Sequence, residues 1–135
     1  MMEKTILIVD EATRTRGLLA SILSMKGYEV FESGNGRAAL ELIPGLQPDL
    51  IIVEALLPAF SGFEFCAALR RDPDFQHIPT LMMCALTGNL ARRNDNWRDH
   101  IPADDLITRP FGLQDLMLRV EKLLGAIPET RALSS

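Results

Sequence analysis

The sequence predicts an open α/β fold, a doubly wound parallel sheet flanked by helices, and three observations predict it. Short continuous apolar runs recur at Thr5-Ile-Leu-Ile-Val9, Leu50-Ile-Ile-Val53 and Thr80-Leu-Met-Met-Cys-Ala85, with the length and lack of alternation of strands buried on both faces. Stretches with helical spacing of apolar residues separate them. Two of the runs end in carboxylates, Asp10-Glu11 and Glu54, at the carboxyl ends of strands, where open parallel sheets keep their ligands.

After the first strand, Leu18, Leu19, Ile22, Leu23 and Met25 recur at helical spacing, and Gly27 stops that helix. Tyr28 to Ser33 alternates into a second strand. Gly36 to Ile43 reads as a short helix bounded by Pro44-Gly45. Asp49 opens the third strand, Glu54 closes it, and a turn over Pro58 to Gly62 follows. Gly62 to Arg71 carries Phe63, Cys66, Ala67 and Leu69 on a helical pattern and stops near Asp72-Pro73. Thr80 to Ala85 is the fourth strand and Leu106 to Thr108 a short fifth. Between them Gly88 to His100 is the least hydrophobic helix candidate, and Leu113 to Leu124 is a last, amphipathic helix.

Five such βα units imply a doubly wound parallel sheet with crossovers of one hand, and the flavodoxin-like order 2-1-3-4-5, expected here, puts strands one and three side by side at the switch point. With neighbouring strands about 5 Å apart, Asp10, Glu11 and Glu54 converge at one edge. Such a cluster repels itself unless something cationic sits there.

Composition sets further bounds. At 135 residues, 47% hydrophobic and 24% charged, the chain is expected to form one soluble domain over residues 1–126 with a loose tail over 127–135, leaving no length for an output domain. A net charge of −4 argues against nucleic acid as a direct partner, which usually meets a basic footprint. No signal peptide and no apolar run of membrane-spanning length is seen, so a cytoplasmic location is expected. Cys66 and Cys84 lack a metal-ligand spacing and are expected to be reduced thiols. His77 and His100, in polar stretches, read as surface residues.

Taken together, Val9-Asp-Glu, Pro48-Asp-Leu-Ile-Ile-Val-Glu, Leu57-Pro, Gly62-Phe-Glu, Ile78-Pro-Thr-Leu-Met-Met-Cys-Ala85 and Ala103-Asp-Asp-Leu-Ile-Thr-Arg-Pro-Phe111 resemble the receiver domain of two-component response regulators. The resemblance runs from about Lys4 to Leu124. It implies an acidic pair at Asp10 and Glu11, structural roles for Pro58, Gly62, Pro110 and Phe111, and a Mg²⁺ held by Asp10, Glu11 and the residue at position 54. In such receivers the metal, a hydroxyl and a lysine stabilise the charge of the transferring phosphoryl group, as positioned cations and donors do generally.

The resemblance breaks at the chemistry. The phospho-accepting Asp is replaced by Glu54, the Thr or Ser by Cys84, the Lys by Arg109 and the aromatic switch residue by Leu106. Glu54 moves its carboxylate outward by roughly 1.5 Å, one C–C bond, and a displacement of about 1 Å costs in-line attack on the order of a hundredfold. The longer carboxylate either mimics a phosphoryl group or is a neutral structural replacement. Cys84 is a weak donor suited to packing, and Thr87 is an alternative hydroxyl. Arg109 offers a planar fork whose natural partner is Glu54. Weak Mg²⁺ binding and neutralisation of the cluster by Arg109 both remain open.

The expected function is therefore an atypical receiver, not an enzyme, acting as a phosphorylation-independent protein-interaction module. The alternative is a Mg²⁺-dependent, phospho-accepting receiver switched by a histidine kinase. A phosphate-binding cofactor loop is disfavoured by Asp10-Glu11-Ala12, and a metal-dependent phosphatase by the missing Asp nucleophile. By resemblance the signalling face carries Arg92, Arg93, Trp97, Arg98, Asp105, Arg119 and Glu121. Trp97 either anchors a partner, a histidine kinase or downstream signalling protein, or tucks onto the core. Asp105 and Arg119 are candidates for intersubunit ion pairs in a homodimer.

Overall fold

Alternation along each strand decides which of two cores a side chain enters. In the computed structural model, which describes residues 3–85 and 101–125, strands β1 (Thr5–Val9), β2 (Glu29–Ser33), β3 (Leu50–Glu54), β4 (Thr80–Ala85) and β5 (Asp105–Arg109) form one sheet. All paired neighbours are parallel, and the order is β2-β1-β3-β4-β5. This is the expected flavodoxin-like arrangement. Helices α1 (Thr13–Met25), α2 (Gly36–Leu46), α3 (Gly62–Arg70) and α4 (Leu113–Leu123) are those among the described residues.

Leu7, Val9, Ile51, Val53, Met82 and Cys84 pack with Ala39 and Ile43 of α2 and with Phe65, Cys66 and Leu69 of α3. Their neighbours Ile6, Ile8, Leu50, Ile52, Leu81 and Met83 pack with Leu19, Ala20 and Leu23 of α1 and with Leu116 and Val120 of α4. Both faces of β1, β3 and β4 are covered, which is why those strands read as unbroken apolar runs.

Four expectations shift. Helix α2 runs through Pro44 to Leu46, past the stop expected at Ile43. Pro44 forfeits one backbone donor in the last turn, while Leu46 packs against the core. The helix ends where Gln47 turns left-handed at φ 48° and donates its N–H to Ile43 O at 2.7 Å. Strand β5 is longer than Leu106 to Thr108, because its register matches β4 from Leu81↔Asp105 to Ala85↔Arg109. Strand β2 starts at Glu29, since the Tyr28 N–H turns back to Leu23 O. Leu18 and Met25, placed on the apolar stripe of α1, are exposed, and the buried stripe is narrower.

A polar network fixes the opposite end of the sheet. Arg70 donates to the carbonyls of Pro102, Gln76 and Ile78, to Thr80 Oγ1 and to Asp104 Oδ2. Asp104 Oδ2 also accepts the Thr80 N–H at 2.8 Å. One guanidinium therefore ties α3, the start of β4 and the approach to β5, using its planar fork of donors.

His77 is exposed. The helix candidate over 88–100, with Thr87, Arg92, Arg93, Trp97, Arg98 and His100, lies outside the described residues, as does the tail over 127–135. Among the described residues, no helix is long and apolar enough to cross a membrane.

Candidate functional site

Strands β1 and β3 are hydrogen-bonded neighbours with Val9 opposite Val53, so Asp10 and Glu54, each the next residue, end the two strands side by side. Counting by twos settles their direction. Asp10 follows Ile6 and Ile8, Glu54 follows Leu50 and Ile52, and Arg109 follows Ile107, all members of the α1/α4-side core. Both carboxylates are buried, with Asp10 3% and Glu54 8% exposed.

Arg109 reaches Glu54 from β5 across the intervening strand β4, and approaches Asp10 one strand further on, past β3. Two strand spacings make about 10 Å between the β5 and β3 backbones, a gap that the Arg109 and Glu54 side chains close between them. Ala85, which has the same parity as Leu81 and Met83 on β4, lines the path and leaves room. The Arg109 Nη2 donates to Glu54 Oε1 and stands 3.8 Å from Asp10 Oδ2. The result is an open cleft of about 280 Å³ lined by Asp10, Glu11, Ala12, Thr15, Glu54 and Leu56, with Ala85 and Arg109 opposite.

Each carboxylate has one oxygen engaged by the backbone. Asp10 Oδ1 accepts the Ala12 N–H at 3.0 Å, and Glu54 Oε2 accepts the Leu56 N–H at 3.2 Å. The remaining oxygens, Asp10 Oδ2 and Glu54 Oε1, both face the guanidinium. Asp10 Oδ2 is buried and has no hydrogen-bond partner. Arg16 contributes from behind, donating Nη1 to the Asp10 carbonyl at 2.5 Å and Nε to Glu32 at 2.9 Å.

Burial holds the Asp10 carboxyl above its usual range, and the Glu54 charge adds to that, while the Ala12 N–H, Arg109 and Arg16 pull it down. A carboxyl whose folded pKa exceeds its unfolded value binds protons more tightly in the folded state. Its contribution therefore favours folding more as pH falls through the folded pKa, and ionised Asp10 is a cost at neutral pH. Asp10→Asn is expected to raise the unfolding free energy at pH 7, with the gain shrinking on acidification. Urea melts at neutral and mildly acidic pH measure it, and a loss of stability at pH 7 would contradict the account.

The loop after Glu54 is held by local devices. Ser61 and Glu64 form a reciprocal capping box at the start of α3. The Gly62 N–H donates to Ala55 O at 2.9 Å, Ala59 takes the left-handed conformation at φ 67°, and the Phe60 ring lies 4.6 Å from the Arg37 guanidinium carbon.

The structure brings Asp10, Glu54 and Arg109 together and leaves Glu11 exposed on the cleft wall. Cys84 does not line the cleft. Its parity with Met82 sends the thiol into the α2/α3-side core, where it is fully buried and Leu106 packs nearby. Cys66 is buried in the same core, and burial pushes its thiol up to about 11, well away from the thiolate form. Asp105 and Arg119, considered as intersubunit partners, bind each other within the chain at 2.8 Å, and Arg119 also holds Asp115 at 2.9 Å.

The Mg²⁺ implied by the resemblance does not fit this arrangement. Both oxygens free of backbone donors face a guanidinium, and among the described residues no group of three or more His, Cys, Asp and Glu side chains is placed to hold a metal ion. Sequence reasoning missed Arg16 and Arg70, whose charged partners Glu32 and Asp104 stand 16 and 34 positions away and leave no local signature. Asp49 was seen only as a strand opener, yet its Oδ2 accepts the Thr5 N–H at 2.7 Å, joining β3 to β1.

Comparison with known proteins agrees with this geometry. The response regulator receiver domain family matches residues 6–121. The chain is 38% identical over 124 residues to the phosphate regulon transcriptional regulatory protein PhoB of Pseudomonas aeruginosa, covering 92% of this chain and 53% of that protein. It is 37% identical over 119 residues to the DNA-binding dual master transcriptional regulator RpaA of Synechocystis, covering 88% and 48%. The chain thus spans about half the length of these relatives. Among solved structures, a putative response regulator from Chloroflexus aurantiacus superposes with a TM-score of 0.80 at 31% identity, covering 92% of this chain and 99% of that one. The chemotaxis protein CheY4 of Vibrio cholerae gives 0.78 at 25% identity, covering 90% and 99%. With the sheet order, the acidic strand ends and the matched segment in agreement, this chain belongs to the response regulator receiver domain family.

Proposed function

We propose that this receiver domain works as a phosphorylation-independent protein-interaction module, in a fixed arrangement held by its own charges. The observation that carries the reading is the Arg109 to Glu54 ion pair at the ends of β5 and β3. Receiver domains are two-component signalling modules that interact with histidine kinases and effector domains, and they typically bind Mg²⁺ at the phosphorylation site. Here the acceptor carboxylate already has a cationic partner, it stands one methylene further out, and the Cys84 thiol lies in the opposite core. The terms that stabilise a transferring phosphoryl group are each weakened.

The partner is a protein, a histidine kinase or a downstream signalling component. A net charge of −4 supports a protein surface over direct nucleic-acid contact, so the DNA binding in the name of the Synechocystis relative stays with that protein. Residues 1–126 form the receiver unit and 127–135 the tail, the protein acts in the cytoplasm, and it has no enzymatic turnover of its own. Arg92, Arg93, Trp97, Arg98, Asp105 and Arg119 remain the proposed interaction face. Asp105 and Arg119, paired with each other within the chain, belong to that face and are the candidates for intersubunit ion pairs in a homodimer. The competing reading, a Mg²⁺-dependent receiver switched by a histidine kinase, is favoured by the preserved Asp10 beside position 54.

Small phosphodonors with Mg²⁺ separate the two. Intact mass is expected to stay unchanged in the wild type, and a gain of one phosphoryl group mapping to Glu54 would sink the proposal. Glu54→Asp alone is expected to recover little uptake, and Glu54→Asp with Cys84→Thr and Arg109→Lys more, because residues that act as a unit combine non-additively.

A further inference from the structure

We infer that Arg109 is the resident cation of the cleft and keeps divalent cations out of it, and that the guanidinium masks a divalent-cation site which its removal opens. This deepens the interaction-module reading of the same site and rests on it. Three observations carry it. The two carboxylate oxygens left over after the backbone has taken its share, Asp10 Oδ2 and Glu54 Oε1, are the two addressed by a single Arg109 nitrogen. Asp10 Oδ2 is buried without any hydrogen-bond partner, so it is oriented toward the cleft as a bare anionic ligand. Glu11 stands on the same cleft wall, and its exposure leaves it able to turn inward.

Hard oxygen ligands of this kind, completed by water, suit Mg²⁺ or Mn²⁺. A divalent cation held by these carboxylates would have to share its place with the Arg109 positive charge. Arg109 is tied by the β5 pairing to Ala85, and its side chain is only 28% exposed, so withdrawing the guanidinium means giving up both carboxylates. The tethered cation is present at all times, whereas a free one must be bound from solution. The neutralisation that a metal supplies by binding is here built into the chain.

The test uses the full chain without phosphodonor. Thermal unfolding is followed in MgCl₂ against NaCl of equal ionic strength, and bound Mn²⁺ is counted by electron paramagnetic resonance. The wild type is expected to show the same Tm in both salts and no bound Mn²⁺. Arg109→Met should gain a saturable Mg²⁺-dependent rise in Tm of roughly 3 °C or more and one bound Mn²⁺, and Arg109→Met with Asp10→Asn should lose both. If Arg109→Met does not fold, Arg109→Gln, whose amide still donates to Glu54, carries the same expectation. One Mn²⁺ bound per wild-type chain overturns the inference, as does a folded charge-removed variant that gains none. Wild-type metal binding without phosphoryl uptake would sink this inference alone, whereas phosphoryl uptake at Glu54 would sink the interaction-module reading itself.

Discussion

Gly62→Ala is expected to cost at least about 3 kcal/mol of stability and to displace the end of β3. A Cβ at this position would overlap the Glu54 carbonyl oxygen and stand 2.9 Å from both Ala55 Cα and the Glu54 carbonyl carbon. All three are backbone atoms, so no side-chain rotation relieves the clash. Relief must come by opening the Gly62 N–H to Ala55 O hydrogen bond or by moving α3, whose Phe65 and Cys66 are fully buried. Either movement shifts Glu54 relative to Arg109. Gly17, in the middle of α1, is the comparison, because a Cβ there meets nothing within 4 Å. Gly17→Ala should stabilise by about 0.5–1 kcal/mol through helix propensity and a less flexible unfolded chain. Urea unfolding of both variants decides the matter. A Gly62→Ala protein as stable as wild type would mean that the loop tolerates a wider path, and that the position of Glu54 is not held by this close approach.

The sequence exposed some of this and hid the rest for physical reasons. Strands β1, β3 and β4 were legible because a sheet covered on both faces demands unbroken apolar runs, and the carboxylates at the ends of β1 and β3 followed directly. The meeting of Glu54 with Arg109 was legible as charge complementarity at the ends of strands in one sheet. Cys84 reads in the sequence as a weak donor suited to packing, and counting by twos from Met82 agrees. Parity places the thiol in the opposite core. Pro44 misled because a breaker in the final helical turn removes one donor only, and burial of Leu46 outweighs it. The extent of β5 was underestimated because Asp105 and Arg109 are charged. Their backbones complete the ladder with β4 while their side chains find Arg119 and Glu54. The hubs built on Arg16 and Arg70 join residues up to 16 and 34 positions apart, and no local pattern encodes such contacts.

Removing the guanidinium should produce the largest loss at the cleft itself. Arg109→Ala is expected to destabilise the domain by about 3 kcal/mol, the lower end of the range for breaking a buried pair, because Arg109 keeps a 28% exposed side chain. The cost arises less from the lost attraction than from what remains: Glu54 and Asp10, with side chains 10% and 5% exposed, facing each other without a cation. A double-mutant cycle isolates that term. Glu54→Gln in the Arg109→Ala background removes one of the two stranded charges, so the double variant should lose less than the sum of the single losses. The coupling is expected to be about 2 kcal/mol. Hydrogen exchange at the Leu56 and Ala12 amides, which donate to these same carboxylates, should quicken in Arg109→Ala and recover in part in the double variant. Additive losses with a coupling near zero would place the pair among solvent-screened surface contacts, and a fixed receiver conformation would then need another source than its internal cation.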